Sequence, residues 1–178
     1  SARMSITSFE ALISAAERRT LINGENKTSI RMSDFLGVIA AINGKVELLY
    51  EGEQQGAEQI SFHLINQAVK SLFKNYFPEI KKLEKVDAKG PFDDLLGWFY
   101  KDNELFLEDI LPNKIYQDTL KSIPNLEKTL TKYITKLAVE DKYFMMEFLL
   151  WGLEANKKIQ KRRTVEGLQF SDGLGSYF

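Results

Sequence analysis

SARMSITSFEALISAAERRTLINGENKTSIRMSDFLGVIAAINGKVELLY, residues Ser1 to Tyr50, is the stretch on which the reading of the fold turns. It has the pattern of two helices joined by an extended link. Thr7 and Glu10 have the T-x-x-E spacing of a capping box, in which the hydroxyl accepts from an amide three residues on and the carboxylate reaches back. Ile6, Phe9, Leu12, Ile13, Ala16 and Thr20 then recur at helical spacing on one side, while Glu10, Glu17, Arg18 and Arg19 fall on the wet side. Gly24, behind Asn23, suits a left-handed helix stop. After a polar link from Glu25 to Met32, Ser33 is placed as a second N-cap and Asp34 puts negative charge on the first turn. The helix that follows carries Phe35, Leu36, Ile39 and Ile42 and runs to the stop Asn43-Gly44.

The rest of the composition sets bounds. At 178 residues the chain makes one domain or two small ones and is long enough to bury a sizeable core. An apolar content of 44% with 28% charged residues describes a folded chain, not a disordered one. A net charge of −1 gives no bulk attraction to nucleic acid or to an acidic membrane surface. The absence of cysteine excludes thiol catalysis, disulfides and thiolate metal sites, and it fits a cytoplasmic protein. No signal peptide opens the sequence, whose first residues look cut from something longer. The most apolar run, Tyr143 to Leu153, is too short to span a bilayer and contains Glu147.

Beyond Gly44, Lys45 to Tyr50 alternates polar and apolar, as a short strand or an extended exit does. Glu51 to Gly56 is the best internal boundary, dividing the chain into a helical segment over 1–52 and a helical extension over 53–178. A helix is expected from Ala57 to Tyr76, with Ile60, Leu64, Ala68 and Leu72 as its stripe and Ile65, Val69 and Phe73 widening it. Pro78, Pro91 and Pro112 each open a further helix, and Pro124 forces a break and restart. Leu105 and Leu107 alternate with charge across a short extended piece. A last long helix is expected from Glu140 to Arg163, apolar nearly all round in its first half and basic in its second, followed by a glycine-containing tail. The expected fold class is all-α, with at most one short hairpin or strand.

Few side chains stand out as chemistry. His63 is the only histidine; a catalytic or metal role needs partners that sequence does not supply, and a partly buried structural residue is the plainer reading. Asp93-Asp94 and Glu108-Asp109 are adjacent and so point apart on a helix; the first pair suits a helix N-terminus. Lys157, Lys158, Lys161, Arg162 and Arg163 form a basic run that reads either as contacts to a nucleic-acid phosphate backbone or as an ordinary basic helix end. Phe92, Trp98, Phe99, Tyr100 and Phe106 read as core, with part of the group open to a neighbour.

Ser1-Ala2-Arg3-Met4 resembles the small-x-Arg that opens the lid of MoxR-like and magnesium-chelatase-type AAA+ ATPases, although Ala2 stands where proline is common in MoxR-like members. In that family an alanine-rich helix ends in a glycine-containing turn. A Ser or Thr cap before an acidic residue then starts the next helix, which leaves by a charged exit. Here those parts are ALISAAERRTLINGE and SIRMSDFLGVIAAINGKVEL. The YEGEQQGA segment and the glycine-containing end are similar to the C-terminal extension of a bacterial magnesium chelatase-like subgroup. No Walker A loop with its lysine and no Walker B acidic pair is present.

The resemblance implies a helical AAA+ lid joined to a larger extension, beyond the nucleotide-binding core. It implies that Arg3 is the sensor 2 residue, directed at the terminal phosphates of a nucleotide. It further implies that the parent chain binds ATP and Mg2+ while this segment alone binds neither. The partners it implies are the upstream core, a homo-oligomeric ring and a protein with a von Willebrand A domain, with no nucleic acid and no membrane. Bare solvation is the other reading of Arg3, and a free-standing helical interaction module without nucleotide binding is the other reading of the chain.

Overall fold

The first helix, α1 (Ala2–Ile22), begins ahead of the Thr7 expected as its cap. Ala2, Arg3 and Met4 are strong helix formers, so the helix propagates through them. Thr7 becomes an interior residue whose hydroxyl donates to the Arg3 carbonyl at 2.9 Å, and the T-x-x-E pair is not a capping box. The helix ends as expected: Gly24 has φ of 63°, and the Glu25 amide returns to the Thr20 carbonyl at 3.0 Å. Residues 2–42, 57–80 and 90–173 are described by the computed structural model.

A 3-10 turn (Met32–Asp34) leads into α2 (Phe35–Ile42). Ser33 is not the cap. Arg31, extended at φ −114°, holds that position, and its amide donates to the Asp34 carboxylate at 2.8 Å. The backbones of α1 and α2 approach closely where Gly37 meets Ala15; a Cβ at Gly37 would stand 3.0 Å from that of Ala15. The expected stop at Asn43-Gly44, the alternating Lys45 to Tyr50, the boundary Glu51 to Gly56 and most of the helix expected after Pro78 lie outside the described residues.

Helix α3 (Ala57–Tyr76) has the expected bounds, but the face it buries is turned. Val69 and Phe73 are buried, whereas Leu64 and Leu72 of the anticipated stripe are 44% and 49% exposed. Helix α4 (Asp93–Phe99) is followed by strand β1 (Leu105–Glu108), in which Leu105 and Leu107 point inward. Helices α5 (Asn113–Lys121) and α6 (Leu126–Tyr133) start just after Pro112 and Pro124. Helix α7 (Val139–Ala155) is buried on every side along Met145 to Leu153 and forms the centre of the core. Phe73 of α3 lies directly against Gly152 of α7, where a Cβ would come within 1.9 Å of its ring.

The all-α expectation fails at the C-terminal end. The described residues carry a three-stranded antiparallel sheet in the order β1-β3-β2, formed with β2 (Ile159–Arg163) and β3 (Gly167–Asp172). The helix expected to run to Arg163 stops at Ala155. Asn156 and a left-handed Lys157, φ 59°, turn the chain, with amide bonds from Lys157 to Glu154 at 2.7 Å and from Lys158 to Leu153 at 2.9 Å. In β2, Ile159 and Lys161 are the inward residues. Lys161 hides this alternation because its stem is apolar and its ammonium sits 3.4 Å above the Trp151 ring centroid. In β3, Leu168 and Phe170 face inward opposite Leu107 and Leu105. Gly167 opens that strand because a Cβ there would fall 2.1 Å from the Leu107 carbonyl oxygen. The protein is therefore mostly helical with a small sheet, not all-α.

Candidate functional site

Arg3 is exposed in the first turn of α1, on a segment that also exposes Ile6 and Phe9 at 59% and 61%. Arg18 is exposed near the other end of the helix, but Arg19, expected on the wet side, is only 2% exposed. Its guanidinium forks onto Asp34, Nε to Oδ1 at 3.2 Å and Nη2 to Oδ2 at 2.8 Å. Its remaining donors reach the Thr28 hydroxyl at 2.8 Å and the Ser29 carbonyl at 3.0 Å. One side chain thus organises most of the link between α1 and α2.

The network continues into the larger core. Arg31 lies 4.0 Å above the Tyr116 ring centroid, and its Nη1 donates to the Leu111 carbonyl at 2.8 Å. The Tyr116 hydroxyl donates to Glu147 Oε2 at 2.8 Å, and the Met32 amide donates to the same oxygen at 3.0 Å. Glu147 is fully buried on α7, with no partner for Oε1. Burial pushes its carboxyl up to about 7, against the pull of the bonds from Tyr116 and Met32. Burial and the neighbouring Arg19 charge lower Arg31 to about 10, and burial and Glu147 raise Tyr116. Around this centre, Asn23 donates to the Ile110 carbonyl at 2.8 Å, the Asn113 amide donates to Glu25 at 2.6 Å, and Lys27 pairs with Glu140 at 3.2 Å. The arrangement is a joint: it clamps the C-terminal end of α1 and the link onto α5 and α7. On its outer side opens a cleft of about 490 Å³ lined by Ser14, Arg18, Ser33, Gly37, Asp109 and Arg163.

Sequence reading missed Arg31, Tyr116 and Glu147 as a group. Glu147 was the available signal, since a carboxylate inside an otherwise apolar helix has to be buried with partners. The other candidates are scattered. His63 is exposed, not partly buried, with its Nε2 2.7 Å from the Gln67 amide nitrogen. Asp93 accepts the Gly90 amide at 2.6 Å in the first turn of α4, as its position suggested. Asp109 forms a two-bond pair with Arg163 at 2.6 and 2.5 Å. The basic run lies in a turn and a strand rather than at a helix end. Phe92 and Phe99 are core, while Tyr100 and Phe106 are partly open. Among the described residues, no group of three or more His, Asp and Glu side chains is placed to hold a metal ion, and no helix is long and apolar enough to cross a membrane. Comparison of the chain with protein-family models, with curated proteins and with solved structures finds no match.

Proposed function

We propose that this chain is the C-terminal lid and extension of a MoxR/magnesium-chelatase-like AAA+ ATPase, contributing Arg3 to an ATP site whose phosphate cradle and metal-holding carboxylate come from an upstream core. The observation that carries the reading, beside the sequence resemblance, is the placing of Arg3. It is exposed on the first turn of a helix of 21 residues whose far end is clamped by Arg19, Asn23 and Glu25. At about 1.5 Å per residue, Arg3 stands roughly 24 Å along the axis from Arg19. A guanidinium held out on such a lever fits a terminal phosphate: it is always charged and offers paired planar donors. A phosphate contact at that end would be passed to the extension through the clamp. ATP with Mg2+ supplies the reactive phosphoryl group, and this segment supplies one charge-assisted contact to it.

The test is steady-state ATP hydrolysis and nucleotide affinity in the protein with its nucleotide-binding core. Arg3→Ala should lower turnover more than affinity, and Arg3→Lys should restore it only in part because an ammonium lacks the planar fork. The present segment alone should hydrolyse no ATP above a mock preparation. Unchanged turnover in Arg3→Ala overturns the assignment. A second reading, a helical interaction module without nucleotide binding, is favoured by an apolar groove of about 450 Å³ whose lining includes Met4, Phe35, Leu64, Leu72, Tyr76 and Phe148. It gains if Arg3→Ala leaves hydrolysis intact.

A further inference from the structure

The fold dismantles the basic run of Lys157 to Arg163. Lys161 turns inward, with its ammonium 3.0 Å from Glu154 and 2.9 Å from the Asn66 side-chain oxygen. Arg163 leaves toward Asp109. Arg162 donates to the neutral Gln169 side chain at 2.8 Å and keeps its charge unmatched there. Among the described residues the ammonium groups of Lys157 and Lys158 make neither an ion pair nor a hydrogen bond. These residues surround an open cleft of about 790 Å³ whose lining includes Tyr100, Lys157, Lys158, Lys161, Arg162 and Asp172. With Lys161 matched by Glu154, the rest of the lining carries one carboxylate, Asp172, and the three cations of Lys157, Lys158 and Arg162, so positive charge is in surplus. The volume lies in the range of small-molecule sites, about 300–1,000 Å³.

We propose that this cleft binds an oligophosphate, the anionic chain that occurs free or as the tail of a nucleotide. Lysine ammoniums are point charges without a planar fork, so a row of them suits charge repeated along a chain better than one carboxylate. The row is fixed at its base. Lys157 has φ of 59°, a conformation that glycine takes more easily, and its amide and that of Lys158 are both held by carbonyls of α7. The site is independent of Arg3, which lies in the first turn of α1, and it departs from the expectation that this segment alone binds no ATP.

Calorimetric titration of tripolyphosphate, and separately of ATP without Mg2+, into the 178-residue chain tests the site. Both probes should bind, more weakly as NaCl is raised. The double variant Lys157→Gly/Lys158→Ala should weaken both by about tenfold or more. Lys157→Gly alone should weaken binding while keeping or raising the melting temperature, because glycine relieves the left-handed turn, so the loss cannot be ascribed to unfolding. Arg18→Ala, at an exposed position of α1 away from this cleft, should leave both affinities unchanged. Absence of tripolyphosphate binding to the parent overturns the proposal, as do equal affinities in the double variant or binding of ATP alone. Loss in Arg18→Ala without loss in the lysine variants overturns it and moves the anion to α1. A hexaglutamate peptide that binds as tightly as tripolyphosphate also overturns it and assigns the cleft to acidic protein segments.

Discussion

Replacing Glu147 by glutamine removes a buried proton-binding group and keeps its shape. The wild-type carboxyl is fully buried, accepts from Met32 and Tyr116 through Oε2, and leaves Oε1 without a donor. Its folded-state value stands at about 7, against an ordinary 4.5. Between those two values the folded protein holds a proton that the unfolded chain has released. Stability therefore falls as pH rises through that window: the loss is absent below the lower value and complete above the upper. At 1.36 kcal/mol per pH unit, the contribution is roughly 3 kcal/mol. The charged and titratable groups that face Glu147 are Arg31 and Asp34 from the link, Tyr116 from α5 and Lys161 from β2.

Glutamine keeps an acceptor for the Met32 amide and the Tyr116 hydroxyl but has no proton to bind. Its unpartnered amide adds a cost that does not depend on pH, so the informative quantity is the change in the gap between parent and variant. Urea unfolding of both proteins from pH 4.5 to pH 8 measures it directly. The variant should gain on the parent by about 3 kcal/mol across that range, a shift of about 6–12 °C in melting temperature for a chain of this size. Because the gap compares two proteins at each pH, contributions common to both cancel. A gap constant to within about 0.5 kcal/mol would refute the reasoning, since the extrapolation resolves a change of this size. It would mean that Glu147 holds its ordinary charge, through water or through Arg31 Nη2.

Four further outcomes are expected from the same measurement at fixed pH. Gly152→Ala should cost about 1–3 kcal/mol although alanine is the better helix former, because its methyl group would meet the Phe73 ring; Gly97→Ala, with open space at that position, should gain up to about 1 kcal/mol. Arg19→Met should cost about 3–5 kcal/mol by leaving Asp34 buried without its partner, and Arg19→Met/Asp34→Leu should recover part of that loss.

Local signals carried much of the fold into the sequence. Helix α3 was legible to its ends, and Gly24, Pro112 and Pro124 act where glycine and proline chemistry places them. Two kinds of information were not local. Thr7 carries a cap motif, but the residues before it form helix anyway, and only the chain's own hydrogen bonds decide between the two. Strand β2 reads as a basic helix end because Lys161 counts as polar, while its actual place is over Trp151 in the core. The pairing of β3 with β1 across some sixty residues depends on tertiary contact. The joint was hidden for the same reason. Arg19 and Glu147 each look like a solvated charge or an isolated oddity until Asp34, Met32 and Tyr116 are brought to them.

The strengths of these contacts decide how a signal at Arg3 would travel. A charge-assisted bond to a phosphate is worth about 1.5–3 kcal/mol, enough to shift a two-state equilibrium about tenfold or more. Breaking the buried Arg19–Asp34 pair costs about 3–5 kcal/mol, before the bonds from Arg19 to Thr28 and Ser29 are counted. Gain or loss of one phosphate contact therefore cannot open the joint. A link of isolated polar residues between Glu25 and Met32 would act as a hinge, whereas this one is gripped by Arg19 on one side and by Glu147 and Leu111 on the other. If Arg3 reads a phosphate, α1 and α7 move as one body, and the surface displaced is that of the extension rather than of a lid swinging against it.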